Sequence, residues 1–345
     1  IRKKMTVRKG KIRRMRWWSF GASVAGVLLI LGVGIMLWMK PEENGVWEGE
    51  KTVEPGIGQV VLTLGDGESM PLKRDTNRLI FGGTMLQVRN ERGTLVYSKI
   101  KSKEASEKIV YNTLTVPVRE RFQLVLADGT KVFLNSGSEM RYPERFGKAR
   151  REVFLKGEAW FEVAKDSARE FWVHAGAMDV KVLGTSFNVK AYERLETVAT
   201  TLVEGSVEVA CAGKSFQIVP GEQFVYDKNN RVMDVRMVDT ESYVSWKDGY
   251  YKFRQTTLEE IMETLSVWYG LNVFYVNESA KQVEFTGKVK RYEDARMLLD
   301  KFEQTGDVVF DIKGNNVFIT IKQKKPFARE WNSFLVKARG MVWQS

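Results

Sequence analysis

The chain has 345 residues, 43% hydrophobic and 28% charged, which excludes a disordered or collagen-like bulk. One cysteine, Cys211, and one histidine, His174, exclude an internal disulfide and any metal site built on two histidines. The formal charge of +11 suggests nucleic acid, but residues 1–16 carry nine bases and no acid, leaving 45 of the 54 bases against 43 acids elsewhere. No stacking aromatics interleave with that block, so no nucleic-acid partner is expected.

Residues 17–39 contain no charged side chain. At about 1.5 Å per residue they span roughly 34 Å, enough for a bilayer core of about 30 Å. Trp17 and Trp18 stand at one end and Trp38 at the other, where interfacial anchors belong. The basic flank 1–16 before this run, and Glu42, Glu43, Glu48 and Glu50 after it, orient the N-terminus to the cytoplasm. A cleaved signal peptide has a shorter apolar run, about 7–15 residues, and a small-residue cleavage site. The expectation is a single-pass inner-membrane protein with everything after residue 40 in the periplasm.

Residues 40–56, rich in Gly, Glu and Pro, are expected to be a linker. From 57 to 240 short alternating runs broken by Asp66-Gly67, Asp128-Gly129 and Pro220-Gly221 predict a mainly-β domain, a sandwich or roll of hairpins. VVLTLGDGESMPL at 60–72 repeats as FQLVLADGTKVFL at 122–134, an offset of 62 residues that predicts duplicated hairpins. In the second copy Asp128-Gly129 is expected to form a tight primed turn.

The texture changes after Trp246. GYYKF at 249–253 predicts a strand, and Leu258, Ile261, Met262, Leu265 and Trp268 give a helix face. Thr256 and Thr257, each followed three residues later by Glu, cap its start, and Gly270 ends it. Strands at 272–276 and 282–289, a helix at 292–304, and strands at 308–312 and 317–321 complete a small α+β domain over 246–322, ordered β-α-β-β-α-β-β. Residues 323–345 carry no firm pattern.

Chemistry is sparse. Gly213-Lys214-Ser215 lacks the first glycine of a phosphate loop, since Glu208 stands there. Cys211 would need an activating base, and His174 sits in the alternating FWVHA as an ordinary strand residue. Glu158 and Glu162 share a strand face but lie about 13 Å apart along it, too far for the roughly 5–9.5 Å of a glycosidase pair. No catalytic residue, metal or cofactor is expected, and a membrane-anchored hydrolase is the third-ranked reading. A non-enzymatic alternative is an extracytoplasmic glycan- or ligand-binding module, with Trp160 and Trp172 as a stacking platform.

In chain order, LADGT at 126–130, VFLNSGS at 132–138, RYPERF at 141–146, REVFLKGEAWFEVAKD at 151–166, FWVHA at 171–175, VKVLGTSFNVKAY at 180–192, TTLVEGSVEV at 200–209 and VPGEQ at 219–223 resemble the FecR-type family of transmembrane sigma-factor regulators. The unit with YYKF, LEEIMETLSVWYGLNV and FTGKV resembles the domain that follows in Bacteroidetes members, itself similar to the short domain of secretins and TonB-dependent receptors. The family's usual Pro-x-Gly before the DGT hairpin is Pro117-Val118-Arg119 here. The resemblance implies a signal transducer without catalytic residues. A cytoplasmic segment, expected before Ile1, would hold an extracytoplasmic-function sigma factor. The periplasmic part would contact the N-terminal signalling domain of a TonB-dependent outer-membrane transporter.

The motif residues also have a purely structural reading. Asp128, Gly129, Asn135, Gly137, Gly157, Gly184, Gly205 and Gly221 are turn or bulge formers, and Phe133, Trp160, Phe161, Phe187 and Val189 are candidate core residues. For partner binding the terminal strand is the candidate. Val317, Phe318, Ile319, Thr320 and Ile321 would offer a sheet edge to another chain by strand addition.

Overall fold

A computed structural model describes residues 58–73, 78–82, 86–91, 94–99, 109–291 and 294–322. The expected membrane helix at 17–39 with Trp17, Trp18 and Trp38, the flank 1–16, the whole linker 40–56, residue 57 and the tail 323–345 lie outside them. Among the described residues no helix is long and apolar enough to cross a membrane.

The part from Val60 to Met237 is mainly β, as its alternation predicts. Period-two burial runs through it: Phe122–Val125, Phe171–Ala175 and Val207–Cys211 each alternate buried and half-buried side chains. The strands form two sheets. The first runs from Ser69–Leu72 through Val60–Thr63, Tyr111–Thr115 and Glu139–Pro143 to the start of Arg151–Glu162. It continues through Phe171–Ala175, Met178–Val182 and Val207–Cys211 to Lys214–Ile218. The second joins Phe122–Val125 and Lys131–Leu134 to the end of Arg151–Glu162, then to Ser186–Ala191, Thr197–Glu204, Glu222–Asp227 and Val232–Met237. One core joins both sheets, with Leu62, Leu124, Phe161, Phe171, Phe187 and Val189 fully buried in it.

Arg151–Glu162 belongs to both sheets. Phe154–Lys156 pair with Arg141–Glu139, whereas Ala159–Glu162 pair with Leu134–Lys131. Gly157 sits between, at φ +103°. A Cβ there would lie 2.4 Å from Ser138 Oγ and 2.7 Å from its Cα. The strand turns the corner where a residue without a side chain lets the backbone of Ser138 approach.

The 62-residue repeat is a repeat of geometry. Val60 pairs with Leu72 and Phe122 with Leu134. In each loop the Gly67 or Gly129 amide donates to the carbonyl of Leu64 or Leu126 at 2.9 Å. The Asp66 and Asp128 carboxylates accept from the amides of Glu68 and Thr130 at 3.0 Å. The turn is not the expected primed type, because the glycines have positive φ and the aspartates do not; each aspartate acts through its side chain instead. The copies lie in different sheets and have diverged in one respect. Asp128 forms a 2.9 Å ion pair with Arg151, the side chains 6% and 0% exposed, while Arg151 also donates to the carbonyls of Ala164 and Arg169.

Cys211 lies in the core, 2% exposed, and burial raises its thiol pKa. His174 is half-buried on its strand, stacked on Phe154 and bonded to Asp179 at 2.7 Å.

The C-terminal lobe runs in the order strand Tyr250–Thr257, helix Leu258–Tyr269, strands Asn272–Tyr275 and Glu284–Lys290, helix Ala295–Thr305, strands Val308–Lys313 and Asn316–Ile321. Thr257 Oγ1 caps the first of these helices, accepting from the Glu260 amide at 3.3 Å, and Gly270 closes it at φ +69°. Thr256 serves the preceding strand instead, accepting from the Arg254 amide. The second helix begins later than expected because Asp294 caps it, accepting from the Arg296 amide. A short helix, Thr240–Val244, and a 3-10 turn, Ser245–Asp248, join the lobes.

Three substitutions test this architecture. Gly157→Ala combines a left-handed φ with contact on Ser138, and a loss of about 2–4 kcal/mol is expected in urea unfolding. Asp128→Ala leaves the Arg151 guanidinium buried without its counter-charge, with an expected loss of about 3–5 kcal/mol. Asp66→Ala, which removes only the turn contact, should cost about 1 kcal/mol.

Candidate functional site at the junction of the lobes

Beyond Gly157 the side chains of Arg151–Glu162 alternate. Ala159 and Phe161 enter the core between the sheets, while Trp160, 4% exposed, joins the core of the C-terminal lobe with Leu258, Leu265 and Leu298. Phe133, on the paired strand, packs against the same cluster. The second sheet therefore has a covered outer face, and Glu158 stands on it, 8% exposed.

A buried carboxyl needs partners, and Glu158 has two amides. Asn135 Nδ2 donates to one oxygen at 2.7 Å and Asn188 Nδ2 to the other at 2.9 Å. Asn188 Oδ1 then accepts from Trp246 Nε1, at 3.2 Å, in the turn that begins the other lobe. Burial pushes the Glu158 carboxyl above the ordinary value of 4.5, while nearby Lys190 and the two amides pull it down. The Asn135 Oδ1 is buried without a partner. Rotating that amide would turn this acceptor toward Glu158, the partner a protonated carboxyl needs.

Further bonds tie the lobes together. Ser136 Oγ accepts from the Arg119 amide at 2.9 Å and donates to the Val267 carbonyl at 3.0 Å. Arg121 donates to the Lys247 carbonyl, and Lys190 pairs with Glu263 at 3.5 Å. On the C-terminal side itself, the Arg291 guanidinium lies 3.6 Å from the centre of the Trp268 ring and donates to the Trp246 carbonyl at 3.0 Å. Arg119 holds a left-handed backbone at φ +68°. That costs about 1–2 kcal/mol for a residue with a Cβ. Its guanidinium reaches the Tyr269 carbonyl at 3.3 Å, a contact glycine could not make.

The structure corrects two candidate sites. Asn316–Ile321 is the middle strand of its three-stranded sheet, parallel to Asn272–Tyr275 and antiparallel to Val308–Lys313. Val317, Phe318 and Ile319 therefore have pairing strands on both sides, while Thr320 and Ile321 pair with Val309 and Val308 and the Ile321 amide donates to Asn277 Oδ1 on the other side, so the strand is not the sheet's edge; last in sequence is not last in space. Trp160 is buried, and Trp172 stacks on His174 with Lys181 5.6 Å from its ring centre, so they form no shared platform. Glu158 and Glu162 also part company: Glu162 accepts from Trp160 Nε1 and pairs with Lys131. Among the described residues, no group of three or more His, Cys, Asp or Glu is placed to hold a metal.

Sequence reasoning weighed Glu158 only as half of an acid pair and missed Asn188 and Arg119 as junction residues. The available signal was Trp160, two residues from Glu158 and on the same face, which marks that face as covered.

The described architecture, a β sandwich carrying an α+β lobe on one outer face, agrees with the comparisons. The FecR protein family matches residues 112–208, and the FecR C-terminal family matches residues 250–319. No match is found among curated proteins. Two crystal structures of a candidate anti-sigma factor from Parabacteroides distasonis ATCC 8503, at 1.65 and 2.50 Å resolution, resemble this chain with 27% identity and a TM-score of 0.56. They cover 61% and 62% of this chain and 99% and 100% of their own. The chain belongs to the FecR-type family.

The buried carboxyl generates a pH prediction. A raised folded-state pKa means that Glu158 favours folding below about 4.5, and that this contribution is lost as pH rises through its folded value. Glu158→Gln removes the titration while keeping the shape, and its amide can donate to Asn135 Oδ1. Urea unfolding from pH 4 to 8 should show the variant gaining stability relative to the parent as pH rises. A constant difference would place the carboxyl outside a desolvated site.

Proposed function

We propose that this protein regulates an extracytoplasmic-function sigma factor from the inner membrane. In this reading its periplasmic lobes receive a signal from a TonB-dependent outer-membrane transporter. The observation that carries the regulator role is the FecR domain followed by the FecR C-terminal domain in one chain. The likeness to a candidate anti-sigma factor over almost that protein's whole length supports the same role. The uncharged run 17–39 after nine bases supports a membrane anchor with its N-terminus in the cytoplasm. The sigma factor would be held on the cytoplasmic side and the transporter's N-terminal signalling domain on the periplasmic side.

The correction to the terminal strand moves the transporter contact. Asn272–Tyr275 is an outer strand of its sheet, and Phe274 and Val276 beside it are 47% and 63% exposed. An open edge flanked by apolar side chains suits strand addition by another chain.

Two measurements test the reading. Phe274→Asp with Val276→Asp should weaken capture of the neighbouring transporter's N-terminal domain by at least about tenfold, with the circular dichroism unchanged. Equal capture by variant and parent removes that surface. Single cysteines between residues 45 and 60 should be labelled from the periplasm in intact cells, against a buried and silent Cys211. Labelling from the cytoplasm alone would reverse the topology.

A further inference from the structure

A cavity of about 260 Å3 lies between the lobes, over the outer face of the second sheet. Glu158, Asn188, Thr201 and Gln223 line it from the sandwich, and Trp246, Tyr251, Phe253 and Glu263 from the C-terminal side. Buried polar atoms left unpaired collect here. Asn135 Oδ1, Ser242 Oγ and the Tyr251 hydroxyl all belong to residues lining this cavity, and none has a hydrogen bond of good geometry, though Arg291 lies beside the tyrosine. A buried polar group without a partner loses the hydrogen bonds it made in water, so an acceptor and two hydroxyls around one space, only the tyrosine's with a guanidinium beside it, call for a hydrogen-bonding guest.

The wall defines the guest. Its basic side chains are matched: Lys190 with Glu263 at 3.5 Å, Arg236 with Glu260 at 3.4 Å, Lys252 with Asp239 at 3.2 Å. An anion would find no unmatched cation, a cation would find only Glu158, already held by the Asn135 and Asn188 amides, and burial would cost either its hydration. Asn135 Oδ1 demands a donor, and the two hydroxyls can give or accept. Trp246, Tyr251 and Phe253 supply apolar surface. A neutral ring with hydroxyls on its rim meets all three demands. The volume is just below the approximately 300–1,000 Å3 of pockets for drug-sized ligands, which restricts the guest to about one ring.

We propose that this cavity binds a small neutral cyclic polyol, of monosaccharide size, held jointly by both lobes. Such a guest binds the docked arrangement and not the separated one, so it raises the cost of parting them. This site is distinct from the partner edge at Asn272–Tyr275 and does not depend on it.

The test uses the full chain in a sugar-free detergent, with D-glucose, D-galactose and myo-inositol as probes and glucose 6-phosphate as the charged comparison. Saturation-transfer NMR and calorimetry should detect at least one neutral probe, and binding of the phosphate should be weaker. Ser242→Ala, which removes an unpaired hydroxyl, should weaken binding about five- to tenfold. Ala199→Phe, which fills the cavity from its wall, should abolish it. If Ala199→Phe does not fold, Ser242→Ala decides. No signal from any of the three probes, unchanged affinity in Ser242→Ala, or stronger binding of the phosphate would each overturn the proposal and leave a cavity filled by water.

Discussion

The bend at Gly157 is the constraint on which the rest of the described structure depends. A single strand can serve two sheets only if its backbone turns sharply, and here it turns against the backbone of Ser138. That contact seats Asn135 and Ser138 beside the strand. Ser138 Oγ accepts from the Glu158 amide at 2.8 Å and donates to its carbonyl at 3.1 Å. The corner thereby aims Glu158 and Trp160 away from the sandwich core and toward the C-terminal lobe.

The lobes meet through a mixture of interactions with different sensitivities. Trp160 and Phe133 give apolar burial, which is non-directional and tolerates small shifts. The relay Asn135–Glu158–Asn188–Trp246 is directional and buried, so a partly broken version is worse than none. Lys190–Glu263 is partly exposed and contributes little alone. A junction held this way keeps the C-terminal lobe in one orientation against the sandwich.

Local irregularities recur where distant segments meet. Arg119 accepts a strained left-handed backbone, and its guanidinium reaches the other lobe. Asp128 departs from its repeat partner Asp66 in the same way, because one strand's corner brings Arg151 to it. In both cases the local motif is kept and a long-range contact is added, which no nearby residue announces.

Local patterns were legible wherever the physics is local. Alternation predicted the β part, the 62-residue repeat predicted matching hairpins, and Leu258 to Gly270 predicted a capped helix, because pleat, turn and cap depend on residues a few positions apart. The apolar run at 17–39 is equally plain in sequence, and lies outside the described residues. Pairing across the chain was not legible. Whether Val317–Ile321 is an edge or a centre depends on Asn272–Tyr275, more than 40 residues away. Glu158 was legible only as half of an acid pair, because its partners, Asn135, Asn188 and, through Asn188, the turn at Trp246, come from separate segments. Sequence by itself determined the elements and the family, since those follow from near neighbours and recurring motifs. Only the tertiary structure decided which strand is covered, which carboxyl is buried and where a cavity remains, because these depend on how distant surfaces share space.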